Sequence, residues 1–537
     1  MTSEADDIHP IIVVGSGPAG VAAAWACARK GVVPTILDVG ITPSTEPPEI
    51  PENFYDFAEK HSTFELLIGR DYSGLYNLNP SNPHISFLLT VPKYAFVRAQ
   101  ADELLPVDQE RISIVRSLAK GGLANAWGAA AYRYIDRDLE GWPIRAAELD
   151  PYYDLLTREI GINGAEDDLT PFYGSASGLQ PAIRLGINSQ RILERYSARK
   201  IWFNRRGVFV GRMRSAVLTE PLDGREPYPY RNSEAYARLT CFYNPVYTLE
   251  KLIRSDQARY LPGYLVERFR VESEKVEVVC RNVHTGIPSR FYARALILAA
   301  GAVNSAKIVL ASFEDYQTIL PLYDNPAVYV PSFLLGRIGK ALDVSGYGFA
   351  TLAILYQWPE YPPFVQGLVF ETMNVPRAEF FRHMPFCVST GLTFTKYVLP
   401  AMVVVILYFP STALPPARVR LRSDGVLELR GPEEKIPQRI IRRALRVNRR
   451  LGLYGFSFLA ERSIYGGSIH YAGCLPMREN PRGRYECDRF GRLLAADRVW
   501  VADGAVLPSL SAKNHTLTLM ANAMRVAEHA TEMYRNR

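Results

Sequence analysis

Gly15-Ser-Gly17-Pro-Ala-Gly20 is a stretch whose residue types and spacing together prescribe a chemistry. Gly15 permits a tight turn, Gly17 lacks the Cβ that would block an approaching pyrophosphate, and Gly20 lets a helix lie close on the preceding strand. A helix that opens at Pro18 and Ala19 offers free backbone N–H groups and a partial positive charge to phosphates. Asp38, about 20 residues on, is placed to accept both hydroxyls of a ribose, and an acid there argues against a 2′-phosphate. The expectation is a dinucleotide site for FAD or NAD rather than NADP.

A bare G-x-G-x-x-G is weak, so the flanking elements decide its meaning. Ile11 to Val14 is short, apolar and rich in β-branched residues, the pattern of a parallel strand buried on both faces. Small residues from Val21 to Ala28 continue as a helix that Gly31 stops, and Pro34-Thr-Ile-Leu-Asp38 is a second strand. Strand, helix and strand thus close a βαβ unit. Residues 41–110, rich in Pro and Tyr, are expected to run as an irregular excursion.

Alternating runs from Val266 to Val283 around Glu274-Lys275 predict a hairpin, and Arg294-Ala-Leu-Ile-Leu-Ala-Ala-Gly301 a buried strand that returns to the first sheet. The apolar run Tyr397 to Phe409 carries Pro400 and falls short of the ~20 residues that a transmembrane span needs, so it reads as a buried strand. Ala401 to Phe409 and Arg418 to Leu429, the latter turning at Ser423-Asp424-Gly425, predict a separate, mostly antiparallel sheet. After Pro437 a helix sets Arg439, Arg442, Arg443, Arg446, Arg449 and Arg450 around an apolar stripe of Ile440, Ile441, Ala444, Leu445 and Leu451, read as a solvated basic face over a packing face, or alternatively as a docking face for an anionic partner, membrane surface or phosphorylated substrate.

With 537 residues, of which 48% are hydrophobic and 22% charged, the chain can bury large cores without staples, and fibrous or disordered readings are excluded. A net charge of +7 is mild for this length, and no basic arm interleaved with aromatics suggests a nucleic-acid partner. Six cysteines without a C-x-x-C pair, and an acidic start at Met1 to Asp7 with no secretory pattern, are expected of reduced thiols in the cytoplasm. His9, His61, His84, His284, His383 and His529 lie in no ligand-like spacing, so no metal is assigned.

Further blocks follow in order: Gly121-Gly122-Leu-Ala-Asn125-Ala126-Trp127-Gly128, then Gly141-Trp-Pro-Ile144 with Glu148-Leu-Asp-Pro-Tyr-Tyr153, then Ala299-Ala300-Gly301-Ala-Val-Asn-Ser305. The last third holds His470-Tyr-Ala-Gly473-Cys-Leu-Pro-Met477, Val501-Ala-Asp503-Gly504-Ala-Val-Leu-Pro508 and Asn514-His515-Thr516-Leu-Thr518-Leu-Met-Ala521. Together with the first glycines they resemble the glucose–methanol–choline (GMC) family of FAD-dependent oxidoreductases, nearest to its sugar- and polyol-oxidising, pyranose-oxidase-like branch. No block is specific alone; their order along the chain is.

The resemblance implies an α/β fold: a Rossmann-like FAD-binding domain with a discontinuous substrate domain built on a mostly antiparallel sheet. By this reading residues 1–135, 245–312 and 465–537 hold FAD, and residues 136–244 and 313–464 form the substrate domain. Gly15, Gly17, Pro18, Ala19, Gly20 and Asp38 would take the pyrophosphate and ribose. Gly121, Gly122, Asn125, Ala126 and Trp127 would lie against the flavin, with Ala300, Gly301, Asp503, Gly504, His515 and Thr516 as further cofactor contacts, Pro508 fixing backbone nearby, and Val266 meeting adenine through its backbone. Relatives that hold FAD covalently carry a histidine where this chain has Ala126, so FAD is expected to be non-covalent.

By the same resemblance His470 is the general base that takes the hydroxyl proton while a hydride leaves the alcohol carbon for flavin N5; a neutral imidazole suits that task near neutral pH. Asn514 is its expected partner at the substrate oxygen, with His515 in reserve because it replaces the proline of the family's N-P-T-L-T. The implied substrate is a small hydroxylated molecule: a sugar, a polyol or a natural-product intermediate. The electron acceptor is then oxygen, a quinone or a carrier protein. The alternatives are a GMC-like flavoenzyme catalysing a non-redox lyase or decarboxylation reaction, an amine oxidase or monooxygenase, and a non-catalytic flavin subunit.

Overall fold

The computed structural model describes residues 8–43, 89, 92–230, 240–343, 346–371 and 387–535. His61, His84 and His383, and most of the excursion that begins at residue 41, lie outside them. The strand Ile8–Val14 centres the first sheet, and its Ile11 to Val14 are almost wholly buried because sheet neighbours and helices cover both faces. Thr35–Leu37 pairs with it in parallel on one side and Pro288–Leu298 on the other, Val14 lying opposite Leu298. Arg259–Leu261 adds a parallel edge strand, and Val499–Val501 pairs in parallel with the far end of Pro288–Leu298. The near end of that long strand turns the sheet antiparallel through Val276–Asn282 and Tyr264–Val271. The predicted βαβ unit, hairpin and returning strand are therefore all present.

The helix Pro18–Arg29 is rich in Ala, which lets it pack closely against the terminal helix Thr516–Arg535. The Thr531 hydroxyl donates to Cys27 Sγ inside that contact. The close fit of these two helices ties the first glycines to the C-terminal segment that carries Asn514 and His515.

A second sheet is antiparallel throughout, running Val208–Arg212, Ala350–Tyr356, Val365–Glu371, Met402–Tyr408 and Ala327–Phe333, with two short strands at its end. Period-two alternation sorts its side chains. Val403, Val405 and Leu407 face helices Ile187–Ser197 and Gln438–Asn448, which bury Ile192, Tyr196, Ile440, Ile441 and Leu445 against them. Val404, Ile406 and Tyr408 face the opposite way. The arginine-bearing helix forms as its periodicity requires, with its apolar stripe buried and Arg439, Arg442, Arg446, Arg449 and Arg450 exposed.

Three expectations need correction. The run Tyr397 to Phe409 is not one strand: its start closes the helix Val388–Val398, a 3-10 turn at Leu399–Ala401 follows, and the strand begins at Met402. Pro400 lacks an amide hydrogen and suits the turn, not a strand interior. Ala401 to Phe409 and Arg418 to Leu429 do not share a sheet: Ala417–Leu421 and Leu427–Arg430 belong to a third, four-stranded sheet with Leu320–Leu322 and Val107–Glu110. That last strand also corrects the expectation that residues 41–110 are irregular to their end, for Val107–Glu110 pairs in parallel with Leu427–Arg430.

Candidate active site

A cavity of about 1090 Å³ lies between the first sheet and the pocket-facing side of the second. That is at the upper end of the ~300–1,000 Å³ usual for ligand sites, room for an elongated molecule. The first glycine turn and Asp38 line one part, and His470, Asn514 and His515 line another.

The glycines differ in what they make possible. Gly15 has φ +95°, and a Cβ there would stand 2.7 Å from the Ala299 carbonyl oxygen; at Gly20 it would stand 1.9 Å from the Gly15 carbonyl oxygen. Both positions exclude a side chain. A Cβ at Gly17 meets no protein atom within 4 Å, so Gly17 opens onto the cavity floor. It is also the N-cap of the helix Pro18–Arg29 and offers no side-chain cap, which leaves the helix's first N–H groups for an anion. Gly122, at φ +61°, faces Gly17 across a gap in which its Cβ would lie 3.2 Å from Gly17 Cα.

Asp38 closes this end. It accepts hydrogen bonds from the Ser16 hydroxyl and, at 3.1 Å, from the Tyr260 hydroxyl, and burial pushes its carboxyl up to about 6. Ser16 Oγ accepts in turn from the Gly121 amide at 3.0 Å and so pins the two glycine segments together. An open glycine cradle, an uncapped helix N-terminus and a ribose-distance acid are the donor and acceptor set that an adenine dinucleotide such as FAD requires.

Most of the residues expected to contact a cofactor line the cavity. Gly15, Gly17, Pro18, Ala19, Asp38 and Gly122 reach the cavity; so do Ala126, Trp127, Val266, Ala300 and Gly301, and, from the end of the chain, Asp503, Gly504, His515 and Thr516. Gly20, Gly121 and Asn125 do not. The Asn125 amide is consumed by its own turn, donating to the Lys120 and Gly122 carbonyls at 2.9 and 2.7 Å and accepting from Asn244 Nδ2 at 2.8 Å. Pro508 is likewise absent from the wall.

The imidazole of His470 is held at both nitrogens. Nδ1 lies 3.1 Å from Asn325 Oδ1, and Nε2 lies 3.0 Å from Asn514 Nδ2. The Asn325 amide cannot turn round, because its Nδ2 donates to the Phe409 and Ser511 carbonyls at 2.8 and 2.7 Å. Its oxygen therefore accepts, His470 Nδ1 carries the proton, and Nε2 presents a lone pair. Burial, followed by the charge of His515, holds the His470 imidazole well below its ordinary 6.5, and burial lowers His515 to about 4. Both rings are neutral near pH 7, and they meet edge to face with centroids 5.3 Å apart. Asn514 Oδ1, an acceptor, and His515 Nδ1 are buried without a hydrogen-bond partner among the described residues, two polar atoms left for a ligand.

Support for these groups comes from Asp324 and Lys513, which the sequence did not single out, and from Asp503, which it did. Asp324 accepts from the Gly466 amide at 2.7 Å and from the Ser468 hydroxyl, shaping the turn before His470; burial pushes its carboxyl up to about 7. Lys513, fully buried, donates to the Arg133 and Phe172 carbonyls at 2.6 and 2.8 Å and pairs with Asp138 at 2.5 Å, fixing the chain immediately before Asn514. Asp503 accepts from the Ala505 amide at 2.9 Å, from the Gly301 amide at 2.8 Å and from the Ser305 hydroxyl, joining the segments around residues 301 and 503. An Asp-Asn pair before a proline is too common a turn signal to have revealed the first of these, and a lone Lys before Asn-His carries none.

The segment that contains this constellation, residues 457–523, matches the sequence family described as GMC oxidoreductase. The C-terminal part of the chain is thus similar to the GMC oxidoreductases. Two curated relatives align over nearly the full length of the chain at 23% identity: 6'''-hydroxyparomomycin C oxidase of Streptomyces lividus, over 97% of this chain and 91% of the relative, and paromamine 6'-oxidase of Streptomyces fradiae, over 98% and 92%. Among solved structures, pyridoxine 4-oxidase from Mesorbium loti superposes with a TM-score of 0.57 at 13% identity, covering 98% of this chain and 99% of that one. A formate oxidase of Aspergillus oryzae gives 0.61 at 12%, covering 99% of both. At such identity these two likenesses speak for the fold.

Proposed function

We propose that this chain is a GMC oxidoreductase that oxidises the CH–OH group of a hydroxylated small molecule to a carbonyl, with FAD bound non-covalently along the glycine cradle. When bound, FAD supplies a two-electron acceptor for the hydride that leaves the alcohol carbon. The observation that carries the reading is the unprotonated Nε2 of His470, fixed by Asn325 and facing the cavity beside Asn514. Nε2 takes the hydroxyl proton, which a neutral buried imidazole does without first losing one of its own. The Asn514 amide turns from Nε2 to the substrate oxygen as charge gathers there. Oxygen, a quinone or a carrier protein then removes the two electrons. Ala126 has no nucleophilic side chain, which favours FAD without a covalent link.

The named reactions of the two Streptomyces relatives support an alcohol carbon on a natural-product scaffold as the point of attack. The test is anaerobic bleaching of the flavin absorbance by alcohols, with the His470→Ala protein as control. Bleaching by at least one alcohol and its loss in the variant are expected; bleaching that survives His470→Ala overturns the reading. Acid precipitation should leave a yellow supernatant, and a yellow pellet would mean covalent FAD.

A further inference from the structure

From His470 the cavity continues along one pair of strands. The Tyr408 ring lies 5.6 Å from the His470 ring, centroid to centroid, and every second residue from there, Ile406, Val404 and Met402, lines the cavity. The paired strand contributes Tyr329 opposite Ile406 and Pro331 opposite Val404. At about 3.4 Å per residue this is a track of about 20 Å whose own six residues are apolar except for two phenol groups, while Glu461 and Arg462, paired beside Tyr329 and Val328, add a charged edge to the same cavity.

The track ends where Met402 pairs with Phe333, and the chain beyond both residues forms an exposed apolar rim. Leu335 is 52%, Ile338 46%, Phe394 40% and Tyr397 54% exposed. The two segments are stitched together by the Leu334 amide donating to the Ala401 carbonyl at 2.7 Å and the Gly339 amide to the Tyr397 carbonyl at 2.8 Å, so these side chains form one patch. Exposed Lys340 and Lys396 flank it. Large apolar side chains gathered on a surface and bordered by lysines suit a lipid interface, where the apolar groups insert and the ammonium groups meet anionic headgroups. Among the described residues, no helix is long and apolar enough to cross a membrane, so contact through this rim would be peripheral.

We propose that the substrate is an alcohol on an extended apolar body, drawn from a lipid surface on which the 335–340 and 394–397 rim rests, with its hydroxyl reaching His470 and its body lying along the Met402–Tyr408 track. The proposal rests on the alcohol-oxidase reading above. The balance is the same: the carbinol carbon gives up a hydride, its hydroxyl gives a proton to His470, the external acceptor takes the electrons, and an aldehyde or ketone remains on the same body.

Two measurements test it. With FAD-loaded protein and a homologous series of primary alcohols from butanol to decanol, kcat/KM should rise about fourfold per added methylene, the ratio that burial of one CH₂ gives. A flat series, or faster turnover of glycerol and free sugars than of every long alcohol, overturns the proposal and leaves the alcohol-oxidase reading intact; failure of every alcohol to bleach the flavin overturns both. Independently of turnover, the protein should pellet with phosphatidylcholine vesicles that contain phosphatidylglycerol. The double variant Leu335→Asp, Tyr397→Asp should bind them at least tenfold more weakly while oxidising soluble butanol as before. Absence of vesicle binding, or binding unchanged in the double variant, overturns the lipid assignment, and self-association that the double variant abolishes would give the rim to a second copy of the chain instead.

Discussion

Asn325 and His470 are 145 residues apart in sequence, yet the amide oxygen of one lies 3.1 Å from Nδ1 of the other, and that contact decides which imidazole nitrogen can act as a base. The decision is relayed from backbone. Two carbonyls, of Phe409 and Ser511, orient the amide; the amide orients the imidazole; and the imidazole lone pair orients the donor end of Asn514. Phe409 directly follows the strand Met402–Tyr408 and Ser511 precedes Asn514, so the tautomer reports the correct seating of these two walls of the cavity against each other.

Replacing Asn325 with Asp puts a carboxylate beside Nδ1–H. An opposite charge at hydrogen-bond distance favours the protonated imidazole, so the acid limb of kcat/KM should move up by about 1–2 pH units. Asn325→Leu, like Asn325→Asp, leaves the Phe409 and Ser511 carbonyls without their donor, at about 1–3 kcal/mol each, but brings no charge and should lower kcat without that shift. An Asn325→Asp profile that superposes on the parent's would mean that the amide is only packing.

His470 itself is already neutral at ordinary pH. The profile of kcat/KM should therefore run flat through pH 6.5 and fall only well below it, because burial depresses the imidazole. Stability carries the same sign. The unfolded imidazole binds a proton near 6.5 while the folded one resists it, so the contribution is complete above 6.5 and is lost as pH falls from there toward the depressed folded value. Denaturant midpoints compared on both sides of pH 6.5 should show the decline, and His470→Asn should flatten it while lowering turnover by about 10²–10⁴.

Lys513 and Asp138 form an ion pair that no water reaches. Removing only the cation, as in Lys513→Met, strands the buried carboxylate and should cost about 3–5 kcal/mol; removing both charges, with Asp138→Leu added, should restore most of it. Urea midpoints of the parent, single and double variants decide the matter, and equal midpoints for parent and single variant would refute it.

What the sequence showed and what it hid have physical causes. Local rules sufficed for the Gly15–Gly20 turn, the Val266–Val283 hairpin and the arginine helix, because each is set by residues within a few positions. Sheet membership did not follow: Ala401 to Phe409 and Arg418 to Leu429 both read as strands of one sheet, and only tertiary packing sends Met402–Tyr408 to the second sheet and Ala417–Leu421 beside Val107–Glu110. At the site, His470, Asn514 and the glycines stand in spaced motifs. Asn325, Asp324 and Lys513 act by reaching across the fold and leave no local signature. Asn125 shows the converse, a polar residue inside a recognisable motif whose amide is spent on its own turn.

Two glycines of the first turn separate cofactor binding from folding. Gly17 has φ −66° and ψ −179°, extended backbone that any residue adopts, and a side chain there would touch no protein atom within 4 Å. Gly17→Val should thus keep the thermal midpoint of the FAD-free parent and yet purify colourless, because its methyl groups fill the space over the helix N-terminus where the pyrophosphate would sit. Gly20→Val meets the Gly15 carbonyl oxygen at 1.9 Å from Cβ and should lose the fold itself, since helix and strand must part to admit it. Absorbance near the flavin maximum, read with the melting curve of each variant, separates the two effects. A yellow Gly17→Val protein with undiminished FAD content would move the diphosphate away from this turn.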